Sequence, residues 1–186
     1  MALPSSLQAG VYTSLSYSTA SPATVSAADT VAECLAVMAT AANVKEVPCI
    51  REFPEFGNPA NIVKVPCYGA KTSHQVSGQA DSMDMTFTVN YVPGDAVLVD
   101  LQSRVGDGNL YVFQIGICQG EPVGTAATSA LIGQKKGTAV AGNNPNALFY
   151  FTGKIAAMTY GTSLTDSLTT KLHLTMETDL LGPTTV

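Results

Sequence analysis

Charge is what this chain has least of. Asp, Glu, Lys and Arg together make up 12% of its 186 residues, about half of the ~25% usual in a globular domain. A monomer keeps its surface in water mainly with those four residue types. A chain this poor in them is expected to cover much of its surface with other protein, because interface cores shed charge. The competing reading is a Ser- and Thr-rich β protein whose surfaces are polar but neutral. The net charge is −5, which excludes a protein that wraps nucleic acid, since that needs a basic stripe to displace counterions.

Other absences narrow the class further. Residues 1–10 have no basic stretch followed by an apolar one, so no secretory signal is expected. No apolar run is long enough to span a bilayer; the Ala-rich stretch 27–42 is interrupted by Asp29 and Glu33. Cys34, Cys49, Cys67 and Cys118 lie far apart, with no Cys-x-x-Cys spacing, and are expected to be buried reduced thiols. No Asn-x-Ser/Thr acceptor occurs. These features together point to folding in a reducing cytoplasm.

Catalytic groupings are missing as well. The two histidines, His74 and His173, fall in strand-like segments with polar neighbours. Cys67 lies close before His74, but no third group is indicated that would orient such a pair. Gly153-Lys154 and the 133–136 segment lack the glycine spacing of a phosphate loop, and the acids form no Asp-x-Asp calcium loop. No catalytic residue, metal site or cofactor is expected, and the reading is that of a non-enzyme.

What the chain does have is strand periodicity. Met83, Met85, Phe87, Val89 and Tyr91 alternate with Asp84, Thr86, Thr88 and Asn90. Side chains alternate across a strand, so this sheet has one apolar and one wettable face. Further strands are predicted over 44–50, 62–67, 71–78, 110–118, 148–160 and 169–179, separated by Pro/Gly turns. The 110–118 strand is apolar at almost every position and reads as covered on both sides. In the last strand Leu172, Leu174 and Met176 alternate with Lys171, His173, Thr175 and Glu177.

Two helices are predicted. One starts near Asp29, with Val31, Cys34, Leu35, Met38 and Ala42 on one face and Thr30 and Glu33 at capping-box spacing. The other runs from Ala96 to about Val105, capped by Asp95, with Val97, Leu98 and Leu101 inward. Residues 1–26, rich in Ser, Ala and Thr, read as a loose arm, and 183–186 as a short tail. A Gly/Ala-rich loop over 119–147 is too long to be a simple connection. The expected fold is mainly β, with a sheet packed against one or two helices over 27–182.

The order of these segments carries a resemblance. A loose arm and a helix precede FPEFG, then come KTSHQVSGQ, MDMTFTVNYVPGD, a capped helix and YVFQI; after the long loop follow FTGKIAAMTYG and TTKLHLTMETDLLG. Across roughly residues 30–182 this resembles the tail tube (major tail) protein of long-tailed, non-contractile bacteriophages. The resemblance implies a β-sandwich or barrel-like domain with flanking helices. Six copies would close into a ring, and rings would stack into a hollow tube that DNA crosses without specific binding. It also implies a virion tail assembled in the host cytoplasm, with no membrane insertion of its own. Tape-measure, tail-terminator and tail-tip proteins would be its partners. Acidic to neutral walls suit passage of DNA.

Within that reading, Ser73, Gln75 and Ser77, with Asp84, Thr86, Thr88 and Asn90, are expected to line the channel. Leu131 and Ile132, beside Lys135 and Lys136, are expected to contact the adjacent ring. The inner tube of a contractile tail or secretion system is the nearest alternative, since it shares the fold. A capsid-decoration or adhesin β module is the alternative of a different class, and would have no channel.

Overall fold

A computed structural model describes residues 12–20, 25, 28–38, 43–58, 62–69, 71–72, 74–78, 83–118, 147–162 and 167–185. Among these, ten strands and two helices of regular length follow one another. They are β1 (Tyr12–Ser18), α1 (Val31–Met38), β2 (Val44–Glu46), β3 (Ile50–Glu52), β4 (Ile62–Val65), β5 (His74–Ser77) and β6 (Asp84–Asn90). Then come α2 (Ala96–Ser103), β7 (Tyr111–Cys118), β8 (Ala147–Gly161), β9 (Thr169–Met176) and β10 (Leu181–Thr185). Eight strands form one antiparallel sheet in the order β2-β1-β7-β8-β9-β6-β3, with β10 also on β8, while β4 and β5 pair only with each other.

The sheet folds back on itself at β8. The first half of that strand pairs with β7 and β10, from Ala147 to Gly153. The second half pairs with β9, from Gly153 to Gly161, with a bulge between Ile155 and Ala157. A second corner lies where β2 leads into β3. Those two strands are consecutive in the chain yet sit at opposite ends of the sheet. Pro48 brings no donor to that corner, and Cys49 takes a left-handed φ of 51°. Two corners bring the halves face to face, which makes the sandwich or barrel-like body that the resemblance implies.

The main core fills the space between the halves. Leu15 and Tyr17 from β1 meet Phe113 and Ile115 from β7, and Met85, Phe87 and Val89 from β6 meet Leu172, Leu174 and Met176 from β9. Phe113 stacks on Phe151 at 5.0 Å. A second core lies on the other side of the β1–β7–β8 half, where α1 brings Cys34, Val37 and Met38 onto Val112, Leu148 and Tyr150. β7 is therefore covered on both faces, as its unbroken apolar run predicts.

The helices begin where their caps predict. The Asp95 carboxylate accepts from the N–H groups of Val97 (2.9 Å) and Leu98 (3.1 Å), and Leu98 and Leu101 are buried. At α1, Thr30 Oγ1 accepts from the Glu33 N–H, and the Glu33 carboxylate accepts from the Thr30 N–H at 3.0 Å. Met38 is the last residue of that helix, and Ala42 lies outside the described residues.

Four expectations need correction. The segment 1–26 is not wholly a loose arm: β1 sits inside the sheet, with Leu15 and Tyr17 fully buried. Its small residues hid it, because Ser14, Ser16 and Ser18 face the α1 side while only Leu15 and Tyr17 point to the main core. The 44–50 strand is two strands, split at Pro48-Cys49. The final residues are not a free tail, since Thr184 and Thr185 pair with Leu148 and Ala147. Finally, Cys34 is buried but Cys49 and Cys67 are exposed, one at the sheet corner and one beyond the end of β4.

Candidate assembly surfaces

The half-sheet β8–β9–β6–β3 presents an outward face with almost no apolar side chains. Cross-strand registers line it up in rows: Asp84 opposite Thr175, Thr86 opposite His173, Thr88 opposite Lys171, Asn90 opposite Thr169. β8 extends the rows with Lys154, Ala157, Thr159 and Gly161. Along β6, Met85, Phe87 and Val89 are buried, whereas Asp84 and Thr86 are exposed and Thr88 and Asn90 half-exposed. The alternation read from the sequence thus holds residue for residue.

This face is held by side-chain bonds between strands. His173 Nδ1 lies 3.0 Å from Thr86 Oγ1, and its Nε2 lies 3.4 Å from Thr159 Oγ1. The Thr88 hydroxyl donates to Glu52 at 3.3 Å, and Lys154 pairs with Glu177 at 2.5 Å. Hydroxyl and imidazole groups on a sheet surface are wettable without carrying much charge. The imidazole is engaged on both ring nitrogens, and no group of three His, Cys, Asp or Glu suited to a metal occurs among the described residues.

Both edges of this half-sheet are open among the described residues. β3 ends the strand order on one side. On the other, the second half of β8 has β9 beside it and no strand across from it, only the Gly106 N–H donating to the Ile155 carbonyl at 3.1 Å. Open edges carry unpaired N–H and C=O groups that another chain can take up.

The β4–β5 hairpin is the second surface without a cover. It pairs Ile62 with Ser77 and Val65 with His74, and every residue of both strands is exposed. Ile62, Val63, Val65 and Val76 are each at least 41% accessible, and Tyr68 is fully so. A lone two-stranded hairpin is marginal in water. Gln75 and Ser77 thus belong to this hairpin, a sheet separate from the one that carries Asp84, Thr86, Thr88 and Asn90. Ser73 lies outside the described residues, as do Leu131, Ile132, Lys135 and Lys136. The hairpin's apolar residues Ile62, Val63, Val65 and Val76 are visible in the sequence, but their exposure is not, because it depends on what packs against the hairpin.

No protein-family profile matches the chain, and no curated protein matches it in sequence. Solved structures do. A chain in the cryo-EM structure of the anti-feeding prophage baseplate, six-fold symmetrised, superposes with a TM-score of 0.58 at 7% identity, covering 98% of both chains. A chain in the sheath/tube terminator of an extracellular contractile injection system in its extended state superposes with a TM-score of 0.54 at 11% identity, covering 97% of this chain and 96% of the other. The fold is theirs. At such identity the likeness extends to the architecture and to nothing finer.

Proposed function

We propose that this chain is a structural, non-catalytic subunit of a tail-tube-like assembly, closing into rings that stack around a water-filled channel. One observation carries the reading: a half-sheet with a polar face, on which Lys154 and Lys171 nearly balance Glu52, Asp84 and Glu177, and an open edge at each end. If β3 of one copy pairs with the β8 edge of the next, the contact is head-to-tail, and a head-to-tail contact that closes by rotation makes a ring. The polar face of every copy then turns to the ring's interior, where hydroxyls and a net acidic protein let DNA pass without adhering.

Six copies per ring, passage of DNA, and tape-measure, terminator and tip proteins as end partners are part of this proposal. One of the two solved neighbours belongs to an extracellular contractile injection system, which favours the inner tube of a contractile apparatus over the tube of a non-contractile phage tail. Electron microscopy of the purified protein tests it. Rings with a central hole or hollow tubes are expected; discrete compact particles would favour the decoration or adhesin reading.

A further inference from the structure

The β4–β5 hairpin exposes apolar side chains on both faces and has no partner among the described residues, so something must cover it. Its charge indicates what. The hairpin carries Lys64 and Lys71 and no acid, which leaves seven cations against all fourteen acids in the rest of the chain. Neither lysine has an ionic partner among the described residues. The surface that best complements this basic, apolar hairpin is therefore the acidic body of another copy.

A receiving site lies at the hairpin's root. Glu55, Phe56, Gly57, Asn58 and Met83 line an open groove of about 300 Å³. Phe56 is anchored edge-on to Phe149 at 5.2 Å, and Asn58 is clamped by two hydrogen bonds to the Leu180 backbone, so the floor is rigid. Glu55 is exposed and has no side-chain partner among the described residues. The groove offers an aromatic ring, a thioether and a free carboxylate, which together suit a tyrosine: ring against Phe56 and Met83, hydroxyl towards Glu55.

We infer that Tyr68 at the hairpin tip seats in the Glu55–Phe56–Met83 groove of a second copy, with Lys64 and Lys71 facing the net acidic body of that copy. The inference rests on the proposed tube and names the contact between successive rings. Tyr68 lies ten positions beyond Asn58, an extended reach of up to about 34 Å, comparable to the ~40 Å thickness of a domain this size. A tip that reaches the root of the next hairpin repeats identically from copy to copy. Such a head-to-tail contact propagates when its rotation does not close, as stacking requires.

Two measurements decide it. Tyr68→Ser alters a fully exposed side chain, so the melting temperature should not move; rings should persist while the sedimenting tube fraction falls about tenfold or more, and Tyr68→Phe should recover most of it. Normal tubes from Tyr68→Ser overturn the inference and leave the ring proposal standing. Independently, Glu55→Cys in a Cys49→Ser background, oxidised at high protein concentration, should join native Cys67 of one copy to position 55 of the next. The expected product is a ladder of dimers, trimers and higher species, abolished by adding Cys67→Ser. Absence of a ladder overturns the contact. A ladder from a protein that forms no rings would retain the contact and sink the tube.

Discussion

At the scale of single residues, one polar cluster joins elements that are remote in sequence. The Tyr17 hydroxyl donates to Asp100 at 2.6 Å, Arg104 donates to both carboxylate oxygens at 2.9 and 3.2 Å, and Lys45 pairs with the same carboxylate at 3.0 Å. Arg104 also donates to the Tyr111 hydroxyl, which in turn donates to Asp107. Burial raises the Asp100 pKa, but the bonds from Arg104, Tyr17 and Lys45 outweigh that and pull it down to about 2. A depressed carboxylate pKa contributes stability that is present above the unfolded value and lost as pH falls through the folded one. Asp100→Asn should therefore cost about 1–2 kcal/mol at neutral pH, allowing for solvent at the rim of the cluster. The difference from the parent should vanish between pH about 4 and about 2 in denaturant titrations.

Tyr150 is the opposite case. Its hydroxyl is buried with no partner among the described residues, as is Gln114 Oε1 on the neighbouring strand, and burial pushes the phenol pKa up. Tyr150→Phe removes an unsatisfied group and should be neutral or stabilising by up to about 1 kcal/mol, whereas Tyr17→Phe should destabilise by about 1–3 kcal/mol. Equal losses for the two in urea unfolding would contradict this account.

At the scale of elements, the body depends on β8 changing partners. Gly153 is the residue where that exchange occurs, opposite both Tyr111 of β7 and Met176 of β9. A Cβ there would collide with the Thr175 carbonyl oxygen, a backbone atom that cannot turn aside. Gly153→Ala should cost more than about 2 kcal/mol, or abolish soluble expression, because the strand must shift its register with both neighbours. Gly57 offers the control. A Cβ there meets nothing within 4 Å, so Gly57→Ala should leave the melting temperature unchanged.

At the scale of the whole molecule, the proposed ring makes the outward face of β6 and β9 the wall of a channel. Thr86 is exposed in the single chain and sits in the middle of that face. Thr86→Cys, placed in a background with Cys49→Ser and Cys67→Ser, should react quickly with a bulky maleimide in the free subunit. In assembled tubes the reaction should slow by an order of magnitude or more, since a bulky reagent then enters only through the ends. Equal rates in both states would put this face on the outside of the assembly and the proposed ring geometry would fall.

The sequence by itself determined the parts whose physics is local. Alternation along 83–91 and 171–177 set which side chains of β6 and β9 are buried, because a strand's period of two leaves no other choice. Asp95 and the Thr30–Glu33 pair set the helix starts, because capping bonds span only a few residues. Tertiary structure alone decided what depends on pairing between distant segments. β1 is a central strand only because β2 and β7 flank it and α1 covers its serine face. Pro48-Cys49 is a corner only because β2 and β3 belong to opposite ends of one sheet. The polar residues 74–77 look in sequence like those of 84–90, yet they stand on a separate hairpin, because β4 is their only strand partner among the described residues. Periodicity names the two faces of a strand, and only the neighbours assembled around it say whether either face is covered.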